Sequence, residues 1–268
     1  MSAEATTAPA APGSTPASTP RAAATWRQVA AQTRMELRLL TRNGESLLVT
    51  LGIPLGILVF FSTVDVLPTG DTEPVTFLVP GVLAISVMST GLVAVAIQTG
   101  FERKYAVLKR IGATPLRRSA YLASKALAVT LITAVQTVLV LVIAAVGLDW
   151  NASASVLAVL VAIVLGVFAF TSMGLLMAGA LRAEATLALA NAVYLLLMLL
   201  SGVAFEADAL PGPLETVASL LPSGALAEAL RAAVDAGSGA WDVGALAVVA
   251  AWGVAAAGLA ARSFRWEP

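Results

Sequence analysis

Residues 101–125, FERKYAVLKRIGATPLRRSAYLASK, hold seven basic side chains: Arg103, Lys104, Lys109, Arg110, Arg117, Arg118 and Lys125. Apolar runs flank this stretch, Phe77–Gln98 before it and Tyr121–Val146 after it. Each run meets the roughly 20 apolar residues that a helix needs to cross a bilayer. Backbone in hydrocarbon must satisfy its own hydrogen bonds, and charge there is costly. The runs are therefore predicted to be membrane-spanning helices and the basic knot a loop at one membrane face. Lys and Arg are retained on the cytoplasmic side, which assigns the loop to the cytosol.

Composition supports a helical membrane protein. The 268 residues are 59% hydrophobic and 12% charged, about half the charged share of a soluble domain. Cys and His are both absent. That excludes disulfides and thiolate metal sites, and removes the commonest general base and metal ligand. The chain has neither a G-x-x-x-x-G-K-[ST] phosphate loop nor an H-E-x-x-H pair, so no catalytic, metal or cofactor residue is assigned. Arg outnumbers Lys thirteen to three, a bias associated with GC-rich bacterial coding.

Taken in order, residues 1–24 are rich in Ala, Thr, Pro and Ser. They are expected to form a disordered cytoplasmic tail, with neither the basic start nor the apolar core of a secretory signal. Thr25–Glu45 reads as an amphipathic helix capped by Thr25. Arg27, Arg34, Arg38 and Glu45 lie on one side; Trp26, Val29, Ala30, Thr33, Leu37 and Leu40 lie on the other. A basic face with a Trp at one end suits a helix lying in the membrane interface. A solvated helix packed on the protein is the competing reading.

Six spans follow, at about 47–64, 77–98, 121–146, 154–178, 186–204 and 241–261. Pro54, between Gly52 and Gly56, is predicted to kink the first. In the basic stretch, Glu102–Ile111 reads as a short helix with Tyr105, Leu108 and Ile111 on one face. Gly112 is its stop, and Thr114-Pro115 the start of the next helix. Trp150 reads as an interfacial aromatic. Two short helices, Leu214–Leu221 and Ala225–Val234, precede the last span. Ser223 is the cap expected for the second, and both are expected to be re-entrant or interfacial on the outer side.

This arrangement puts both termini in the cytoplasm. Fifteen of the sixteen basic residues then lie inside and only Arg231 outside, the expected bias for a plasma-membrane protein. Asp and Glu are absent from the six spans as drawn, which argues against proton carriage on buried carboxylates. An energised function would need another chain to handle its fuel.

The basic stretch resembles the loop between the second and third spans of the ABC-2 family of ABC-transporter permeases. The resemblance rests on Glu102-Arg103, Leu108-Lys109-Arg110 and Ala113-Thr114-Pro115-Leu116. Phe77-Leu78-Val79-Pro80-Gly81 and the closing Phe264-Arg265-Trp266-Glu267 extend it. It covers about residues 25–268 and is closest to the short six-span permeases of the daunorubicin-resistance type.

The resemblance implies an all-α polytopic fold with an interfacial elbow helix at Thr25–Glu45, carrying Trp26, Arg27, Arg34 and Arg38. It also implies a cytoplasmic coupling helix within Glu102–Ile111. There Glu102, Arg103, Lys104, Tyr105, Leu108, Lys109 and Arg110 would meet a cytosolic ATPase. Binding of anionic lipid headgroups is the simpler use of those charges. Two permease copies and two ATPase subunits would form an exporter. ATP and Mg would sit on the partner, and lipid would surround the spans; no nucleic acid is implied. The second and fifth spans would line the cargo path with Ser86, Ser89, Thr90, Gln98, Asn191 and Tyr194. Such groups also serve as ordinary helix–helix glue. With few charges, the path suits an apolar or amphipathic cargo such as a drug, antibiotic or lipid. A glycan exporter, an ATP-independent channel or secondary transporter, and an intramembrane enzyme are the alternatives. The glycan reading wants aromatic rows, and the chain has sixteen aromatics, many near span ends.

Overall fold

Helices apolar around their whole circumference are built to be enclosed by lipid or by other helices. The segment VLAVLVAIVLGVFAFTSMGLLMAGA has no charge in 25 residues and stands at the centre of the protein. The computed structural model describes residues 23–42, 44, 48–64, 74–151, 154–200, 212–235 and 239–263, and its regular elements are all helical. They are α1 (Thr25–Arg42), α2 (Ile53–Thr63), α3 (Pro74–Met88), α4 (Val95–Lys104), α5 (Val107–Gly112) and α6 (Arg118–Val142). After these come α7 (Val156–Ala180), α8 (Ala183–Leu200), α9 (Gly212–Leu220), α10 (Pro222–Val234) and α11 (Val243–Ser263).

A π-helical turn, Ser89–Ala94, joins α3 and α4 into one rod. A second, Ile143–Gly147, extends α6, and a third, Leu48–Gly52, leads into α2. Among the described residues five helices are long and apolar enough to cross a membrane: Pro74–Lys104, Arg118–Gly147, Val156–Ala180, Ala183–Leu200 and Val243–Ser263. The chain is a multi-pass helical membrane protein. The apolar helix Thr50–Thr63 is shorter than these five. Pro54 falls in the first turn of α2, so the predicted kink takes the form of a π turn followed by a fresh α-helical start.

The rod Pro74–Lys104 has 31 residues, about 46 Å at about 1.5 Å per residue. That exceeds a hydrocarbon core of about 30 Å. The expected second span stops at Gln98, but the helix runs six residues further and brings Glu102, Arg103 and Lys104 onto it. The third helix starts at Arg118 rather than Tyr121, so the basic ends of both rods project together.

The central helix α7 packs against the α3–α4 rod, α6, α8, α10 and α11. Small residues permit its closest approach. A Cβ on Gly174 would lie 2.8 Å from the Leu92 carbonyl oxygen and 3.0 Å from that of Gly91. On Gly91 it would meet Phe170 Cβ at 3.0 Å and the Thr171 backbone nitrogen at 3.3 Å. The two helices thus meet backbone to backbone across the π turn. Tight contact of this kind drives helix association where the surrounding solvent is itself apolar.

Helix α10 is enclosed by α3, α7, α8 and α11, with Leu226, Leu230 and Ala233 buried completely. Its start differs from the expected one. Pro222 occupies the first turn, and Ser223 donates to the Leu197 carbonyl at 3.3 Å instead of capping. At the same end of the bundle the Ser155 amide donates to the Ala233 carbonyl at 2.8 Å, and the Arg231 guanidinium lies 5.8 Å from the centre of the Phe77 ring. Trp150, expected at a membrane interface, is buried and donates its indole N–H to Thr76 Oγ1 at 3.1 Å. Residues 1–22 of the expected tail, Glu45, residues 201–204 of the fifth span and the closing Phe264–Glu267 lie outside the described residues.

Gly174→Ala forces backbone apart at the α4–α7 crossing. Overpacking of this kind costs about 1–3 kcal/mol, read as a lower unfolding temperature in detergent. Gly258→Ala, with nothing within 4 Å of the added carbon, should leave that temperature unchanged.

Candidate functional site

Three consecutive residues at the end of α4 reach three different parts of the molecule. Successive helical side chains point about 100° apart, so Glu102, Arg103 and Lys104 sweep around the helix. Glu102 accepts from Lys125 Nζ at 2.8 Å and from the Tyr121 hydroxyl at 2.5 Å, both on α6. Arg103 donates to the Gly179 carbonyl at 2.8 Å and also to the Leu181 carbonyl, at the turn between α7 and α8. Lys104 pairs with Glu184 on α8.

The Glu102 side holds a buried polar cluster. Lys125 is 2% exposed and bonds both Glu102 and, at 3.2 Å, Glu36 of α1. Gln98 donates to Glu36 at 3.0 Å and to Glu102 at 3.1 Å. Gln32 adds a bond to Glu36 at 3.1 Å. Two carboxylates therefore surround one ammonium, with amide and phenol donors filling further lone pairs. Beside them the Thr33 hydroxyl donates to the Ser124 carbonyl at 3.3 Å. Helix α1 is fastened to α6 and to the end of α4 by polar groups as well as by Val29, Leu37 and Leu40, which are half-buried.

The Arg103 side works differently. The last carbonyls of a helix lack intrahelical partners and carry the negative end of its dipole. Arg103, 7% exposed, supplies those carbonyls with a cation and two donors. Lys104 and Glu184 are exposed on the outside of this junction, where an ion pair contributes little.

Beyond Lys104 the helix breaks. Ala106 has φ +57°, a left-handed conformation that a residue with a Cβ adopts at some cost, and α5 starts again at Val107. The expected common face of Tyr105, Leu108 and Ile111 is not formed. Tyr105 is 64% exposed and stacks on Phe101, whereas Leu108 is fully buried and Ile111 packs partly on the core. The break explains the difference, because Tyr105 closes α4 whereas Leu108 belongs to α5. Lys109 and Arg110 are exposed. Arg103, expected among the groups offered outward, is instead enclosed. Thr114 does not start α6: its hydroxyl donates to the Ile111 carbonyl at 2.6 Å, closing α5.

On α1, Trp26, Arg27, Arg34 and Arg38 are all exposed. Trp26 and Ala30 thus leave the face on which they were expected, and Arg27 lies over the Trp26 ring at 5.2 Å. Glu36 was missed as a site residue. It falls on the stripe of Val29, Thr33 and Leu40, and a carboxylate on an otherwise inward stripe was the signal available.

The six candidate path residues make separate local contacts. Ser86 donates to the Val82 carbonyl and Ser89 to that of Ser86, within their own helix. Thr90 is buried within the π turn, and Gln98 belongs to the buried cluster. Asn191 is exposed and donates to the Leu187 carbonyl at 2.8 Å. Tyr194 packs partly on the core. Among the described residues no group of three or more His, Cys, Asp or Glu could hold a metal ion.

Replacing Lys125 with Met would leave two neighbouring buried carboxylates without their cation. Breaking a buried charge cluster in this way costs about 3–5 kcal/mol. Adding Glu36→Gln to Lys125→Met should recover part of the loss, and thermal unfolding of the purified variants measures both.

A sequence model of one family, described as ABC-2 type transporter, matches residues 27–234, well over half of the chain. No curated protein sequence matches it.

Proposed function

The chain belongs to the ABC-2 type transporter family and is a permease subunit of an ABC transporter; from that premise we propose that it exports an apolar or amphipathic cargo from a bacterial cytoplasm. The permease works with an ABC ATPase, and the chain carries no phosphate-binding loop of its own. The proposed assembly is two copies of this chain with two cytosolic ATPase subunits. It includes α2 as a sixth span and places both termini in the cytosol.

The observation that carries this reading is α5. It is a one-and-a-half-turn helix set off by a left-handed residue, held to the bundle by Leu108, and it shows Lys109 and Arg110 to solvent; Tyr105, just before the break, is exposed as well. An exposed aromatic, with Lys104 Nζ 5.8 Å from its ring centre, next to a short helix with two exposed cations is a suitable knob for a cleft in a soluble protein. The apolar residues Met35 and Leu39 of α1 are exposed one turn apart, as suits a helix lying at the lipid surface. Helix α8 is the least enclosed of the five long helices, with 22% of its apolar stretch buried against 78% for the Pro74–Lys104 rod. Its outward face, with Asn191, suits lipid or the second copy. The scarcity of charge along the spans supports an apolar cargo.

Co-expression and purification with a cognate ABC ATPase tests the reading. Lys109→Glu with Arg110→Glu should lower the ATPase recovered by about tenfold, equivalent to about 1.4 kcal/mol, with the amount of inserted permease unchanged. The side of the membrane is tested separately. Of three lysines, Lys104 and Lys109 are exposed and Lys125 is buried. A membrane-impermeant amine reagent should label the chain in inside-out vesicles and not in intact cells. Labelling from outside would invert the topology.

A further inference from the structure

We infer that Glu102 and Arg103, with Glu36 and Lys125, form a positioning node that passes a displacement of α5 to α1, α6 and the α7–α8 turn together; the inference rests on the permease reading above. The node lies where such a load must travel, since only Tyr105 and Ala106 separate Lys104 from α5. Its attachments diverge within two residues: Glu102 holds α6 through Lys125 and Tyr121, while Arg103 holds the last carbonyls of α7. Glu36 brings in α1, which otherwise packs mainly along α6. Arg103 and Lys125 are almost wholly enclosed, at 7% and 2% exposed. Neither is presented to a soluble partner, so neither contributes by docking.

A charged, multiply bonded junction suits a coupling that must not slip. Apolar side chains can slide past one another with little loss. A buried ammonium between two carboxylates cannot leave them without stranding charge. The arginine cap is similarly fixed by two carbonyls whose positions the α7 backbone sets.

The test uses the complete permease–ATPase complex and the lack of any cysteine in the chain. A single spin label at Leu189→Cys, on the exposed face of α8, reports one distance between the two copies. Three further variants are made in that background: Lys125→Met, Arg103→Gln and Lys125→Arg. The expected result is that vanadate-trapped ATP shifts the distance in the parent and in Lys125→Arg. In Lys125→Met and Arg103→Gln the shift is lost, although the ATPase still co-purifies. A full shift in Lys125→Met and Arg103→Gln would overturn the inference and leave the permease reading standing. Loss of ATPase co-purification together with the shift would also overturn it, because the cluster would then serve assembly alone. No shift in the parent complex would remove the permease reading and this inference with it.

Discussion

Charge is expensive in hydrocarbon, and the placement of every charged residue near the spans follows from that cost. Two solutions appear at the basic end of the bundle. Exposed Lys109 and Arg110 sit where water can solvate them. Glu36, Glu102, Lys125 and Arg103 are enclosed, and each is compensated by an opposite charge, an amide, a phenol or helix-end carbonyls. The long rods α3–α4 and α6 overshoot the hydrocarbon thickness, which lets them bring these groups together beyond it. The helical bundle can then be almost purely apolar, with its ends carrying the polar work.

The amount legible in the sequence differs by element. The central helix α7 was legible because 25 uncharged residues leave no alternative to a span; its observed ends differ from the expected ones by two residues. The basic end of the second helix was not. Hydropathy falls at Gln98, but Glu102 and Arg103 are paired by α6 and α7, and those pairings let the helix continue. Thr114-Pro115 resembles a helix start, yet the Thr114 hydroxyl is taken by the preceding turn and α6 begins at Arg118. Ser223 was read as a cap from local order alone; the Leu197 carbonyl of a distant helix claims it instead.

The candidate site shows the same division. Lys109 and Arg110 were recognisable because charge density marks an exposed surface. The face of Tyr105, Leu108 and Ile111 was lost because periodicity assumes an unbroken helix, and a left-handed alanine is not signalled by residue type. Ser86 and Ser89 bond back to their own helix, a contact that spacing alone does not reveal. Arg103 and Lys125 look alike in sequence to their exposed neighbours; only the carbonyls and carboxylates brought in from α7, α1 and α4 set them apart.

The crossing of α4 and α7 limits how such a molecule can change shape. At Gly91 and Gly174 no layer of side chains cushions the contact, so axial slippage would press carbonyl oxygens into the opposing main chain. The pair acts as a keel. Any alternation between inward and outward openings must be carried by the hull around it, the helices whose outer surfaces are open.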